Sequence, residues 1–225
     1  KVADYFDHLT IISEQDKTQF SFRKAKNIQV VSNGISADFF NYEGDAEKKY
    51  DLVFVGNMSY LPNIESVEYL VWQILPHLPA GTRILIAGTS PSPRVLRLSS
   101  ENIYISGWIK DIRSAYAASK LFVAPMWSGT GQQNKILEAM AMGIPCITTQ
   151  VVNNAIGAGP GEEIVLAETP DEFTFAIQKL LKDISLYSKI STNAKNFVKQ
   201  NFDWEQNGVI LSSIFEQKII KSHGR

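Results

Sequence analysis

The sequence predicts an α/β fold built on a doubly wound parallel sheet. Three observations carry that prediction. Short apolar runs of strand length alternate with stretches whose apolar residues recur at helical spacing. The run Asp51-Leu52-Val53-Phe54-Val55-Gly56 is close to continuously apolar, as a strand covered on both faces requires. No segment repeats, so the strands are expected to be joined by right-handed helical crossovers within one sheet rather than stacked as repeats.

The elements follow in order. Leu9-Thr10-Ile11-Ile12 reads as a strand, and Ser13 followed by Asp16 marks a helix start that is expected to run to about Lys26. Ile28-Gln29-Val30-Val31 is the next strand, ending in the turn Ser32-Asn33-Gly34, and the mixed-charge stretch Asn41 to Lys49 has linker composition. After the strand at Asp51 comes the loop Asn57 to Pro62. Ile64, Val67, Leu70, Val71, Ile74 and Leu75 then form a helical stripe, with Asn63 expected as its N-cap. Arg83 to Gly88 is a strand, Arg94 to Leu98 a short helix, and Asn102 to Ser106 a strand closed by Gly107-Trp108-Ile109. Asp111 is expected to cap a helix through Ser119, and the strand Leu121 to Pro125 leads into the central stretch of the chain. Farther on, Asn153 to Gly161 is expected to be a glycine-rich loop before the strand Glu163 to Leu166. Thr169-Pro170-Asp171-Glu172 is a strong helix start, and helices are expected over 172–182, 185–200 and 204–221.

The central stretch is Ser128-Gly129-Thr130-Gly131-Gln132-Gln133-Asn134-Lys135-Ile136-Leu137-Glu138-Ala139-Met140-Ala141-Met142-Gly143-Ile144-Pro145. Gly129 and Gly131 allow a tight bend and close approach of a ligand to the backbone. Good helix formers follow, with Ile136, Leu137, Met140 and Ala141 on one face, and Gly143 with Pro145 stops the helix. A helix that starts at the carboxyl end of a strand aims free N–H groups and a positive dipole at the crevice there, which suits phosphate. Lys135 and Glu138, three apart and off the apolar face, are neighbours; Glu138 can accept hydrogen bonds from ribose hydroxyls. The plain alternative is an exposed Lys-Glu pair on an ordinary helix.

Composition excludes several classes. The 225 residues carry 22 basic against 23 acidic side chains with no basic block, which argues against nucleic acid as a partner. At 44% hydrophobic, the chain can bury a sizeable core. The single cysteine, Cys146, lies in an expected core strand, where a small buried thiol is the expected role rather than a nucleophile. His8, His77 and His223 lie far apart and near no ligand cluster, so no metal site and no cofactor is expected. No apolar run is long enough for a transmembrane segment, and no signal-peptide pattern is present. Val55-Gly56-Asn57-Met58-Ser59 lacks the Gly-x-Gly-x-x-Gly of a dinucleotide-dependent dehydrogenase, and P-loop and Gly-x-Ser-x-Gly signatures are missing too. A phosphate-bearing nucleotide ligand remains.

The stretch Gly129 to Pro145 followed by Thr148-Thr149 resembles the signature of retaining nucleotide-sugar glycosyltransferases with the two-domain GT-B fold, the group 1 glycosyl transferases. The likeness extends to Val55-Gly56 with Pro62-Asn63, to Ser106-Gly107-Trp108 with Asp111, and to Asn193-Ala194-Lys195 with Asp203-Trp204. It implies the C-terminal half of that fold, a Rossmann-like domain with C-terminal helices. Residues 1–33 would be a remnant of the N-terminal acceptor domain and crossover, and 34–50 a linker. The nucleotide-sugar-binding domain would cover 51–200 and the C-terminal helix 201–225.

By the same resemblance, Glu138 matches the ribose-binding glutamate. Gly131, Gln132, Gln133 and Asn134 match the helix entry whose N–H groups hold the donor diphosphate; Trp108 and Ile109 match the loop that meets the base, and Gly88 lies in a further strand-end loop. Thr130 stands where the family often has a glutamate that contacts the donor sugar, and Asn57 where many members have a diphosphate-neutralising arginine, with the following lysine also missing. Lys135 is then the expected diphosphate cation; failing it, the charge would come from Arg94 or from the absent domain. The expected activity is transfer of a hexose from a UDP- or GDP-sugar to a lipid-linked or saccharide acceptor in surface polysaccharide synthesis. The expected location is cytoplasmic, with peripheral contact at the inner membrane face. A sugar-nucleotide epimerase of the same fold, or an inactive scaffold, are the alternatives.

Overall fold

The computed structural model describes residues 5–22, 25–44, 47–128 and 131–222, leaving aside the side chains of residues 26 and 217–222. Gly129, Thr130 and His223 lie outside the described residues. The chain opens with a parallel pair, β1 (Leu9–Ile11) and β2 (Ile28–Val30), connected through α1 (Glu14–Thr18) and followed by α2 (Ala37–Phe40). The main sheet then forms from β3 (Tyr50–Val55), β4 (Ile84–Ala87), β5 (Ile103–Gly107), β6 (Ser119–Ala124), β7 (Cys146–Thr148) and β8 (Val165–Leu166). Its order is β5-β4-β3-β6-β7-β8 and every neighbouring pair is parallel. This is the doubly wound order in which strands run outward in both directions from a switch point, here between β3 and β6.

Burial explains why these runs are strands. Leu52, Val53, Phe54, Leu121, Phe122, Val123 and Ala124 are fully buried, because helices cover both faces of the central strands. At about 1.5–3 kcal/mol for each large apolar side chain, this double-faced layer is the main stabilising term. The crossovers are α3 (Leu61–Tyr69), α4 (Pro93–Leu96), α5 (Arg113–Ala117), α6 (Asn134–Ala141) and α7 (Gln150–Ile156). The chain ends in α8 (Pro170–Lys182), α9 (Ile184–Asn201) and α10 (Trp204–Ser222). α8 starts with the expected capping box between Thr169 and Glu172, and α9 is capped by Asp183, whose carboxylate accepts from Leu186 N at 2.9 Å. Cys146 is a fully buried core thiol, pushed up out of the reactive range by its apolar surroundings.

Several expected boundaries move, each for a physical reason. The helix at Ser13 ends at Thr18 instead of Lys26; its cap is present, with Ser13 Oγ accepting from Asp16 N at 3.1 Å, but it buries no side chain. Packing against a core is what extends most short helices. Asn63 is not an N-cap: Tyr60 occupies that position, and Asn63 lies inside the first turn with only 5% of its surface exposed. α3 runs on into a π turn over Leu70–Ile74 and a 3-10 turn over Leu75–His77. Asp111 accepts from Arg113 N at 3.1 Å, but the helix it introduces stops at Ala117, and Ser119 opens β6. Asn153 to Gly161 is not all loop, since α7 occupies Gln150–Ile156. Asn153 then closes the turn by bonding both the N–H (3.2 Å) and the C=O (2.9 Å) of Ala158.

Candidate functional site

The site is built from the two loops that flank the switch point. After β3, the chain turns at Asn57, whose side-chain oxygen accepts from the amide (3.0 Å) and hydroxyl (2.8 Å) of Ser59. Asn63, one turn on in α3, donates from its amide to the Asn57 carbonyl at 2.9 Å. Asn57 therefore shapes this loop. The side-chain oxygen of Asn63 accepts a hydrogen bond from the ammonium of Lys135 in α6.

Lys135 stands in the first turn of α6, where the helix dipole alone disfavours a cation. Its Nζ also lies 4.7 Å from the centre of the buried Phe54 ring of β3, a cation-π distance. Burial pulls its pKa down to about 7, with the Glu138 carboxylate working in the other direction. The plain picture of an exposed Lys-Glu pair is thus corrected: Lys135 is desolvated, and Glu138 bonds elsewhere. The Glu138 Oε2 accepts from the Tyr116 hydroxyl at 2.9 Å. Burial raises the Glu138 pKa, against the lowering effects of that hydrogen bond and of Lys135.

The loop between β6 and α6 supplies the rest. Gly131 is buried with φ +91°, a conformation that favours glycine, and a Cβ there would come 3.2 Å from the Asp16 carboxylate of α1. Gln132 is 8% exposed, and its side chain is taken by the backbone of Asn33: Nε2 donates to the carbonyl at 2.9 Å, and Oε1 accepts from the amide at 3.1 Å. Gln133 occupies the N-cap of α6 without capping it by its side chain, and Asn134 begins the helix at the surface. The first turn of α6, which contains Lys135, thus starts without a side-chain cap from Gln133, and Ile136 N donates to the Gln133 carbonyl at 3.0 Å.

The remaining expected residues lie farther out. Gly88, at the end of β4, has φ +136°, and a Cβ there would meet the Gly56 carbonyl oxygen at 1.8 Å; close approach of two chain segments accounts for this glycine without a ligand. Trp108 is 69% exposed in the loop after β5, two strands from β3, whereas Ile109 packs against the core. Arg94 is not a free source of charge, since its guanidinium bonds both oxygens of Glu68, one at 2.9 Å. Sequence reasoning missed three parts of the site: Asn63 as a lysine acceptor, Phe54 as its floor and Tyr116 as the partner of Glu138. Only the place of Pro62-Asn63 among the family-like motifs set Asn63 apart.

Among the described residues, no helix is long and apolar enough to cross a membrane, and no group of three or more His, Cys, Asp or Glu side chains is placed to hold a metal ion. A protein encoded in the cps region of Klebsiella pneumoniae is 26% identical over 94% of this chain and 56% of its own length. An uncharacterised glycosyltransferase of Methanocaldococcus jannaschii is 23% identical over 95% of this chain and 59% of its length. The chain thus spans a little over half the length of these curated relatives. Among solved structures, Anabaena HepE in complex with UDP-glucose superposes with a TM-score of 0.78 at 19% identity, over 94% of this chain and 65% of that one. A Rickettsia africae glycosyltransferase gives 0.77 at 17% identity, over 93% of this chain and 63% of that one. These likenesses establish the fold as that of GT-B glycosyltransferases. Residues 49–183, more than half of the chain, match the family described as glycosyl transferases group 1, and to that family the chain belongs.

Proposed function

We propose that this chain is the donor-binding part of a retaining hexosyltransferase that takes a UDP- or GDP-sugar and works in surface polysaccharide synthesis. The single observation that carries the reading is Lys135, whose ammonium lies on Asn63 and Phe54 at the switch point, is bonded to no carboxylate among the described residues and stands in the first turn of α6. Stability would not select a cation there; a bound diphosphate would.

In this reading the N–H groups of Gly131, Gln132, Gln133 and Asn134 and the ammonium of Lys135 hold the diphosphate. Glu138 receives the ribose hydroxyls, and Trp108 with Ile109 borders the base. Thr130, outside the described residues, is assigned to the sugar side. Cleavage of the anomeric C–O bond places negative charge on the leaving diphosphate. Dipoles and a cation fixed beforehand in a water-poor crevice lower the barrier to that charge separation. The leaving phosphate oxygen takes the acceptor hydroxyl proton on the same face, which retains configuration without a carboxylate pair of glycosidase type. The HepE complex with UDP-glucose and the cps-region relative support the ligand class and the biosynthetic setting. Residues 1–33 are assigned to a remnant of the acceptor domain and the crossover, and the cytoplasm, with peripheral contact at the inner membrane face, is the location that goes with a lipid-linked acceptor.

The test uses a protein in which the chain is joined to an acceptor domain of the length its relatives have. With a UDP- or GDP-hexose and a saccharide acceptor, it should release nucleoside diphosphate and give a product of unchanged anomeric configuration by NMR. An inverted product, or an altered sugar nucleotide without release, would contradict the proposal. Residues 1–225 alone should bind nucleotide and transfer nothing.

A further inference from the structure

Tyr116, in α5, plays no part in the reading above, yet its hydroxyl is aimed into the site. Its ring is fully buried, edge-on to Phe39 of α2 with centroids 6.4 Å apart and tilted against Phe122 of β6 at 6.0 Å. Packing from two elements therefore fixes the direction of the phenol. The hydroxyl oxygen is 2.9 Å from Glu138 Oε2 and 3.0 Å from the carbonyl oxygen of Lys135. It has one proton for two acceptors. The Lys135 carbonyl lies in the first turn of α6 and is served by the amide one turn on, whereas a carboxylate is the stronger acceptor. With Glu138 ionised, the proton goes to Oε2.

This arrangement acts on Glu138 in one specific way. A glutamate side chain on a helix has several rotamers, and freezing them for a ligand costs entropy at the moment of binding. Here one oxygen is already held by Tyr116, and the other makes no hydrogen bond among the described residues. We propose that Tyr116 is a positioning residue that fixes the Glu138 carboxylate with Oε1 outward, and thereby sets the discrimination of ribo- from 2′-deoxyribonucleotides at this site. The inference rests on the reading of Glu138 as the ribose acceptor.

The experiment compares UDP with 2′-deoxy-UDP, or GDP with 2′-deoxy-GDP if guanine is the better base, by calorimetry on wild type, Tyr116→Phe, Glu138→Gln and the double variant. Phe keeps the ring that Phe39 and Phe122 pack against. Tyr116→Phe should lose about five- to tenfold in affinity for the ribonucleotide and little for the deoxynucleotide. The ratio of the two should fall toward that of Glu138→Gln, and the double variant should lose no more than Glu138→Gln alone. If Glu138→Gln leaves the ratio unchanged, the ribose reading itself fails. If Glu138→Gln collapses the ratio and Tyr116→Phe does not, or if the two losses add, the inference about Tyr116 is overturned. Should Tyr116→Phe not fold, 3-fluorotyrosine at this position, a stronger donor of nearly the same shape, must keep or raise the ratio, and a lowered ratio contradicts the proposal.

Discussion

The ammonium of Lys135 donates to the side-chain oxygen of Asn63, joining α6 to α3 across the switch point of the sheet. These residues are 72 positions apart, and the contact gives a desolvated cation one neutral acceptor and one aromatic face, with no carboxylate among the described residues bonded to it. Lys135→Met keeps the apolar stem and removes the charge. The unliganded protein should hold its melting temperature or gain a little. Nucleoside diphosphate affinity should fall about tenfold or more, equivalent to roughly 1.4 kcal/mol, while nucleoside affinity stays the same. Titrations in which diphosphate and nucleoside weaken together would remove Lys135 from the phosphate site.

The depressed pKa of Lys135 gives a pH dependence with a definite sign. Its ordinary value is 10.5 and its folded value is about 7. Between those values the unfolded chain carries a proton that the folded chain has released, so stability contributed by this group rises as pH increases from about 7 to about 10.5. Below about 7 both states are protonated and the contribution no longer changes. Chemical denaturation of wild type against Lys135→Met across that window should show the rise in wild type alone.

A bound diphosphate reverses the shift, because it favours the charged lysine. Binding above pH 7 should therefore take up protons, and affinity should decline as pH rises. Calorimetry at pH 8 in two buffers of different ionisation enthalpy measures this directly. Equal heats in both buffers would contradict it.

Gln132 acts through its side chain as a clamp on Asn33, a contact spanning 99 positions. Gln132→Leu leaves the Asn33 amide and carbonyl without these partners, at a cost of about 1–3 kcal/mol. Amide exchange at Asn33 should accelerate accordingly. An unchanged exchange rate would mean that the loop is held by other contacts.

Gly88→Ala places a methyl group 1.8 Å from the Gly56 carbonyl oxygen at a φ of +136°. Something must move, and the expected loss of several kcal/mol corresponds to a fall in melting temperature of roughly 5–15 °C. A variant as stable as wild type would show that β3 and β4 can part at this end without penalty.

The parts of this molecule that were legible in the sequence are those decided by local pattern. Leu52 to Val55, Ile84 to Ala87 and Leu121 to Ala124 are apolar without alternation because both faces of the sheet are covered, and the capping box at Thr169 and Glu172 is complete within four residues. α6 was legible for the same reason, as Ile136, Leu137, Met140 and Ala141 form its buried face. What was missed depends on partners far along the chain. Nothing local distinguishes an N-cap asparagine from Asn63, whose two hydrogen bonds go to a loop carbonyl and to a lysine of another unit. Tyr116 looks like any core aromatic until its hydroxyl is found against a residue 22 positions away. α7 was hidden because its two asparagines and the glycine that follows read as loop, while Asn153 is in fact spent on closing the turn after the helix.

Isothermal titration calorimetry of the wild-type chain at pH 7 with UDP, GDP, uridine and guanosine tests the central claim most directly. At least one nucleoside diphosphate should bind, and the matching nucleoside should bind about tenfold more weakly or worse, since Lys135 and the start of α6 act on the phosphates. No binding of either diphosphate at millimolar concentration, or equal affinity for diphosphate and nucleoside, would contradict a phosphate site at the switch point between β3 and β6.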